Sequence, residues 1–306
     1  EGVVHGGSPH QHHVEVRVLE LLRHEAPGVG EVVLGAAREG VVEAQAQPGD
    51  NASDRGVIAC RLHSDGRYND LLYVDGGPGS TGTTGKLTAA SITGTGTATI
   101  SAILDGAGTL TMNGAGGTLT LTKANTFTGG TTLTAGTLAL GVANALPGVV
   151  TVNGGTLSLA SFNKTSGAIT FTSGNITGTT GVLTATTLTS AAAGTVSLDA
   201  LIAGSGALSM SGTGTLAVTR ANASFSGATS VSAGTLQAGD NAAFGTAAIT
   251  VSGTGTLDLN GKTLTNAITL TNGTLAGGTI SASQLTLTNG TISAILGSGA
   301  LSKSTA

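Results

Sequence analysis

Side chains of the types that do chemistry are few in this 306-residue sequence, and they are unevenly placed. All six histidines, His5, His10, His12, His13, His24 and His63, precede residue 81, as does the single cysteine, Cys60. Short His tracts sometimes ligate transition metals. Around His10, His12 and His13, however, no Cys or acidic partner stands at ligand spacing, so no metal or cofactor site is expected. Residues 79–86, GSTGTTGK, look like a phosphate loop, but the G-x-x-x-x-G-K-[ST] spacing fails at both ends: Ser80 replaces the first Gly and Leu87 follows Lys86.

After residue 80 the only carboxylates are Asp105, Asp199, Asp240 and Asp258, far apart in sequence. Glycosidase-type catalysis needs paired carboxylates. Nucleophile–base triads need a His or an equivalent base, and none follows residue 80. No catalytic residue is therefore expected. Asp105 and Asp240 stand beside Gly and read as turn residues. Lys123 and Arg220 occupy equivalent places and would make at most a weak basic ridge; six bases across the region are too few for a nucleic-acid partner. Asn125 and Asn222 also correspond, and an internal amide ladder is the structural role expected for them.

The elements that would position these residues come from a repeat. Residues 116–140, GGTLTLTKANTFTGGTTLTAGTLAL, return about a hundred residues later as 214–239, GTLAVTRANASFSGATSVSAGTLQAG. Gly117 and Leu119 match Gly214 and Leu216. Asn125 matches Asn222, Phe127 matches Phe225, Gly129 matches Gly227, and Gly136 with Leu138 matches Gly234 with Leu236. Further Gly-Thr-Leu triplets begin at Gly108, Gly155, Gly255 and Gly273. Self-similarity at a period of about 20 residues marks a solenoid, whose repeats bury their apolar row only by stacking. The fold predicted is all-β, a right-handed parallel β-solenoid of about 19–21-residue coils over residues 86–306, on the order of 50 Å long at ~4.8 Å per coil. Leu119, Leu121, Leu138, Leu157, Leu216, Leu236 and Leu257 should be more buried than the threonines beside them. The Gly before each Thr-Leu is expected to take positive φ at a corner.

Residues 117–138 closely resemble the autotransporter-associated β-strand repeat, G-T-L-x-L-x-G-x-N-T-Y-T-G-G-T-x-x-x-x-G-T-L. Phe127 stands where Tyr is usual, and Lys123-Ala124 replace the small pair before Asn125. The second copy departs further, with Ser226-Gly227-Ala228 for Thr-Gly-Gly. The resemblance implies a bacterial autotransporter passenger. Sec export, passage through a carboxy-terminal outer-membrane β-barrel translocator and display at the cell surface or secretion go with it. A stalk or adhesin rod is the role so implied, with a host or neighbouring-cell surface ligand as its partner. Two other classes stay open. One is a scaffold for an enzymatic domain elsewhere. The other is an ice-binding solenoid built on Thr-x-Thr, as in residues 118–122, 269–271 and 286–288, although this array is not expected to be in register from coil to coil.

Composition divides the chain. Residues 1–80 contain no Thr, Lys or Phe, and 1–75 carry 12 acids and 6 Arg, net −6; the remainder has 4 acids and 6 bases, net +2. Within the first part, residues 14–26 and 29–47 read as marginal helices broken by Pro27-Gly28 and Pro48-Gly49. The expected organisation is a non-repeat segment at 1–75, a Gly-rich linker at 76–85 and the solenoid at 86–306. The first segment is a small domain, a disordered stretch, or a translation artefact, since Arg/His/Val/Gly/Ala-rich peptides are what GC-rich DNA gives out of frame. It is expected to lack a packed relation to the rod. With no initiator Met and no signal-peptide pattern, the sequence reads as an interior fragment.

Overall fold

A computed structural model describes residues 31–34, 58–61, 70–74, 86–88, 91–298 and 300–303. The six histidines, the helix expected over 14–26 and the linker 76–85 lie outside the described residues. Among the described residues every regular element is a strand, and from residue 86 onward the strands pair in parallel. The chain winds as a β-solenoid. One 21-stranded sheet wraps two faces, and small sheets of three and two strands lie on the third.

Alternation explains why these residues coil. In Thr109–Leu121 and Thr131–Leu140 apolar residues occupy every second position in each straight run, so one face points inward. Parallel stacking then places like on like. Leu119 pairs with Leu138, and Leu138 with Leu157; further along, Leu216 pairs with Leu236, Leu236 with Leu257 and Leu257 with Leu275. Leu119, Leu121, Leu138, Leu157, Leu216, Leu236 and Leu257 are all fully buried, while the flanking threonines are partly exposed, as expected.

The corners use glycine in two ways. Gly136 and Gly234 do take positive φ, 72° and 59°. Gly117, Gly214 and Gly255 do not; an added Cβ there would meet the backbone of a neighbouring coil. The expectation of positive φ before every Thr-Leu is thus corrected, because close approach is the second reason for glycine.

Two expectations about the first 80 residues also change. Glu31–Leu34, inside the helix expected over 29–47, is a strand, consistent with its two β-branched valines. It pairs in parallel with Ser91–Gly94, and Asp70–Val74 pairs with Ala98–Ile100, so these strands extend the sheet where no packed relation was expected. Ile58–Arg61 and Asp70–Val74 form an antiparallel pair.

The outward positions also align. Thr111, Thr132, Thr151 and Thr170 stand in one column. Ala191 N donates to Phe171 O and carries the column on to Thr189, followed by Ser209, Ser230, Thr250, Thr269 and Thr286. Hydroxyl columns therefore do hold register from coil to coil, contrary to the reading of the triplet spacing. The triplet at 118–122 lies on the other wrapped face, and loops of different length absorb the irregular intervals.

Candidate functional site

The narrow third side carries most of the buried polar chemistry. Each passenger-like repeat places one asparagine there, inside the coil. Asn125 accepts a hydrogen bond at Oδ1 from Leu104 N (2.7 Å) and donates from Nδ2 to Ala145 O (2.6 Å). Asn222 does the same with Ile202 N (2.8 Å) and Ala243 O (2.8 Å), and also donates to Arg220 O (3.0 Å). Each amide thus joins the coil before to the coil after. Buried backbone groups that a corner leaves unpaired must find partners, and one amide offers both an acceptor and donors. Asn125 and Asn222 form no amide ladder with each other, since each bonds backbone atoms of its neighbouring coils and Lys164 lies buried between them.

Phe127 and Phe225 follow these asparagines and are buried, 3% and 1% exposed. Gly129 and Gly227 sit two residues later, where a Cβ would collide with the carbonyls of Gly108 and Gly206. Thr131 and Thr229 come next. Both turn inward, in a column that otherwise holds Leu110, Val150, Leu208 and Ile249, and both hydroxyls are buried without a partner. The two copies therefore share an Asn bridge, an aromatic plug, a glycine contact and an unpaired inward threonine.

Between the copies lies Lys164, fully buried at the start of Lys164–Ser190. Its Nζ donates to Leu146 O at 2.6 Å. Burial pushes its pKa down to about 8 from 10.5, since the charged form loses hydration. Sequence reasoning missed this residue. A lysine followed by polar Thr165 and Ser166 gives no signal of burial, and only the stacking shows it.

Among the described residues the charged side chains make one pair and no larger cluster. Arg220 turns back across two coils, its guanidinium donating to Gly178 O (2.7 Å) and Thr179 O, with Nε 3.7 Å from Asp199 Oδ1. It makes no ridge with Lys123, which lies about a hundred residues away in the sequence. Asp105 accepts from Thr126 Oγ1, Asp199 from Thr219 Oγ1, Asp240 from Ala242 N, and Asp258 from Gln237 Nε2 and Asn260 N. Asp240 is thus a turn residue, as read. Among the described residues no group of three or more His, Cys, Asp or Glu comes together, and no helix is long and apolar enough to cross a membrane.

With this geometry in place, comparison with known proteins is informative at the two Asn-bearing copies. The model of the passenger-associated-transport-repeat matches residues 116–140 and 208–238. These two stretches are similar to passenger repeats. They fit a family of autotransporter passengers and contain Leu119, Asn125, Phe127, Gly129, Gly136 and Leu138 in the first, and Leu216, Asn222, Phe225, Gly227, Gly234 and Leu236 in the second.

Among curated proteins, part of the chain is similar to beta-ketoacyl-[acyl-carrier-protein] synthase III. The Rhodospirillum centenum protein is 54% identical over 48 residues, 16% of this chain and 15% of that enzyme. That of Rhizorhabdus wittichii is 60% identical over 60 residues, 20% and 15% respectively. That of Paracoccus denitrificans is 52% identical over 59 residues, 19% and 18%. The matches thus span less than a fifth of these enzymes' length. No solved structure matches the chain.

Proposed function

We propose that residues 86–306 are a structural part of an exported autotransporter passenger, a stalk or adhesin rod displayed at the bacterial surface. In this reading the strands at 31–34 and 70–74 add to the sheet of the rod. The observation that carries the proposal is that two stretches similar to passenger repeats lie within one solenoid, each with a buried asparagine that bridges the coil before to the coil after. Such a protein is delivered by a carboxy-terminal outer-membrane β-barrel and meets a ligand on a host or neighbouring cell. A chain poor in charge, growing coil on coil from contacts between neighbouring turns, suits passage through a pore followed by folding outside. The short matches to synthase III are too small a fraction of those enzymes to bring an active site.

The test is display. The chain is fused to a translocator barrel and detected on intact cells with an antibody to the rod. Replacing Asp105, Asp199, Asp240 and Asp258 together by Asn should leave display unchanged, whereas Leu138→Asp should reduce it by stalling the stack. Loss of a cellular activity in the Asn quadruple at normal display would overturn the stalk reading, as would failure of the parent chain to reach the surface.

A further inference from the structure

We propose that Asn289–Gly290 is a self-modifying site, at which the asparagine amide is converted through a cyclic imide to aspartate and isoaspartate ahead of the other Asn-Gly steps in the rod. The sequence holds five such steps, beginning at Asn113, Asn153, Asn260, Asn272 and Asn289. Glycine after asparagine leaves the attacking nitrogen unhindered, so all five have the composition for this chemistry and the fold decides between them. Asn113 and Asn153 lie inside Thr109–Leu121 and Val150–Ser158, which pair with strands on both sides, and their Oδ1 atoms accept from Thr134 Oγ1 (2.8 Å) and Thr172 Oγ1 (2.5 Å). Asn260 donates from Nδ2 back to Ala238 O (3.3 Å), and Asn272 Oδ1 accepts from Asn289 Nδ2 (3.1 Å). In each of these four the side-chain amide is bonded to another coil.

At Asn289 the side chain engages the following nitrogen as well. Gly290 N donates to Asn289 Oδ1 at 2.9 Å, so the nitrogen that must attack Cγ already lies beside that carbonyl. Closeness of the reacting atoms is what makes an intramolecular step fast. The step sits in a bend between Gln284–Leu287 and Thr291–Ile292, outside any strand, and both residues are exposed, so water and hydroxide reach them. Gly290 has φ 124°, and a Cβ there would come within 2.8 Å of Gly273 O, so the corner itself requires glycine. The atoms balance with water alone. Gly290 N gives its proton to hydroxide and bonds to Cγ; the Cγ–Nδ2 bond breaks, and ammonia leaves after taking a proton from water. Water then opens the imide at either carbonyl, leaving a carboxylate at residue 289 and the chain running through the original main-chain bond or through the side chain. A carboxylate has no N–H, so the bond to Asn272 Oδ1 is lost. The isoaspartyl form also lengthens the main chain by a carbon between two strands in register with Ile268–Leu270 and Thr274–Ala276. Modification therefore loosens this corner.

The experiment ages the purified full chain in mildly alkaline buffer, folded and in urea, and follows the five steps by peptide mapping with electron-transfer fragmentation, which separates aspartate from isoaspartate. In the folded chain Asn289 should convert about tenfold faster than Asn113 or Asn153, and in urea the rates should converge, because unfolding removes the placement that ranks them. Both acid forms should appear, as opening of the ring at either carbonyl requires. Asn289→Gln, whose longer side chain would have to close a larger ring, should remain an amide over the same period, and its melting temperature should fall less on ageing than the parent's. Equal rates at the five steps in the folded chain, no conversion at Asn289, or the same ranking in urea overturns the proposal. Aspartate without isoaspartate overturns the imide route, and an equal fall in melting temperature in Asn289→Gln overturns the loosening of the corner. All these readouts are made in solution, so they stand apart from surface display.

Discussion

The two Asn-bearing repeats and the coil between them at Lys164 solve one problem by different chemistry. All three must satisfy backbone groups on the narrow side. The repeats use a neutral amide that reaches both neighbouring coils. Lys164 supplies donors only, bonds a carbonyl of the coil before it, and brings a buried charge. The amide leaves no ionisable group in the stack, whereas the ammonium makes that part of the rod sensitive to pH. The difference shows that an amide and an ammonium can each bond the narrow side, and that among the described residues the buried charge falls at Lys164, outside the two repeat copies.

Variants can break this comparison, and the largest effect is expected within a repeat. Leu138→Asp places a carboxylate where Leu119 and Leu157 stack above and below, so it should cost more than about 4 kcal/mol in urea denaturation followed by circular dichroism. Lys164 should give the next largest effect. Its folded pKa, about 8, lies below the unfolded value of 10.5. The unfolded chain thus binds more protons between the two, and stability must rise with pH across that window. The gain should approach about 3 kcal/mol. Melting measured from pH 7 to 11 checks this; Lys164→Leu should remove the rise, and a parent protein with a flat profile would refute the buried ammonium.

Asn125→Leu and Asn222→Leu should each cost about 2 kcal/mol, because each strands a buried N–H and a carbonyl. The comparison is sharpened if Asn222→Leu costs more than Asn125→Leu by about 0.5–1 kcal/mol, since Asn222 also donates to Arg220 O. The smallest effect has the opposite sign. Thr131→Val and Thr229→Val replace an unpaired buried hydroxyl by a methyl and should stabilise by about 1 kcal/mol each in the same denaturation experiment.

Much of this architecture was legible in the residues. Leu119, Leu138, Leu216 and Leu236 announce an inward row by recurring with Gly and Thr at a near-constant period. Asn125 and Asn222 could be matched by alignment, but their bonding could not, since their partners Leu104 N and Ala243 O are backbone atoms without a sequence signature. The hydroxyl columns were hidden because bonds between adjacent coils span from 17 to 22 residues, as in Asn289 to Asn272 and Thr122 to Ile100. Turns of unequal length absorb that variation while the strands stay aligned. Lys164 was illegible because alternation assigns it to a face only once the corner preceding it is placed.

The bonds between coils run along the rod, which sets how it would respond to tension applied at its two ends. A load on that axis opens the backbone ladder at one end rather than shearing all coils together. Each coil that detaches exchanges about 4.8 Å of folded length for roughly 65 Å of extended chain, from some 20 residues at about 3.3 Å each. A rod of this build held at both ends would lengthen stepwise and absorb mechanical work.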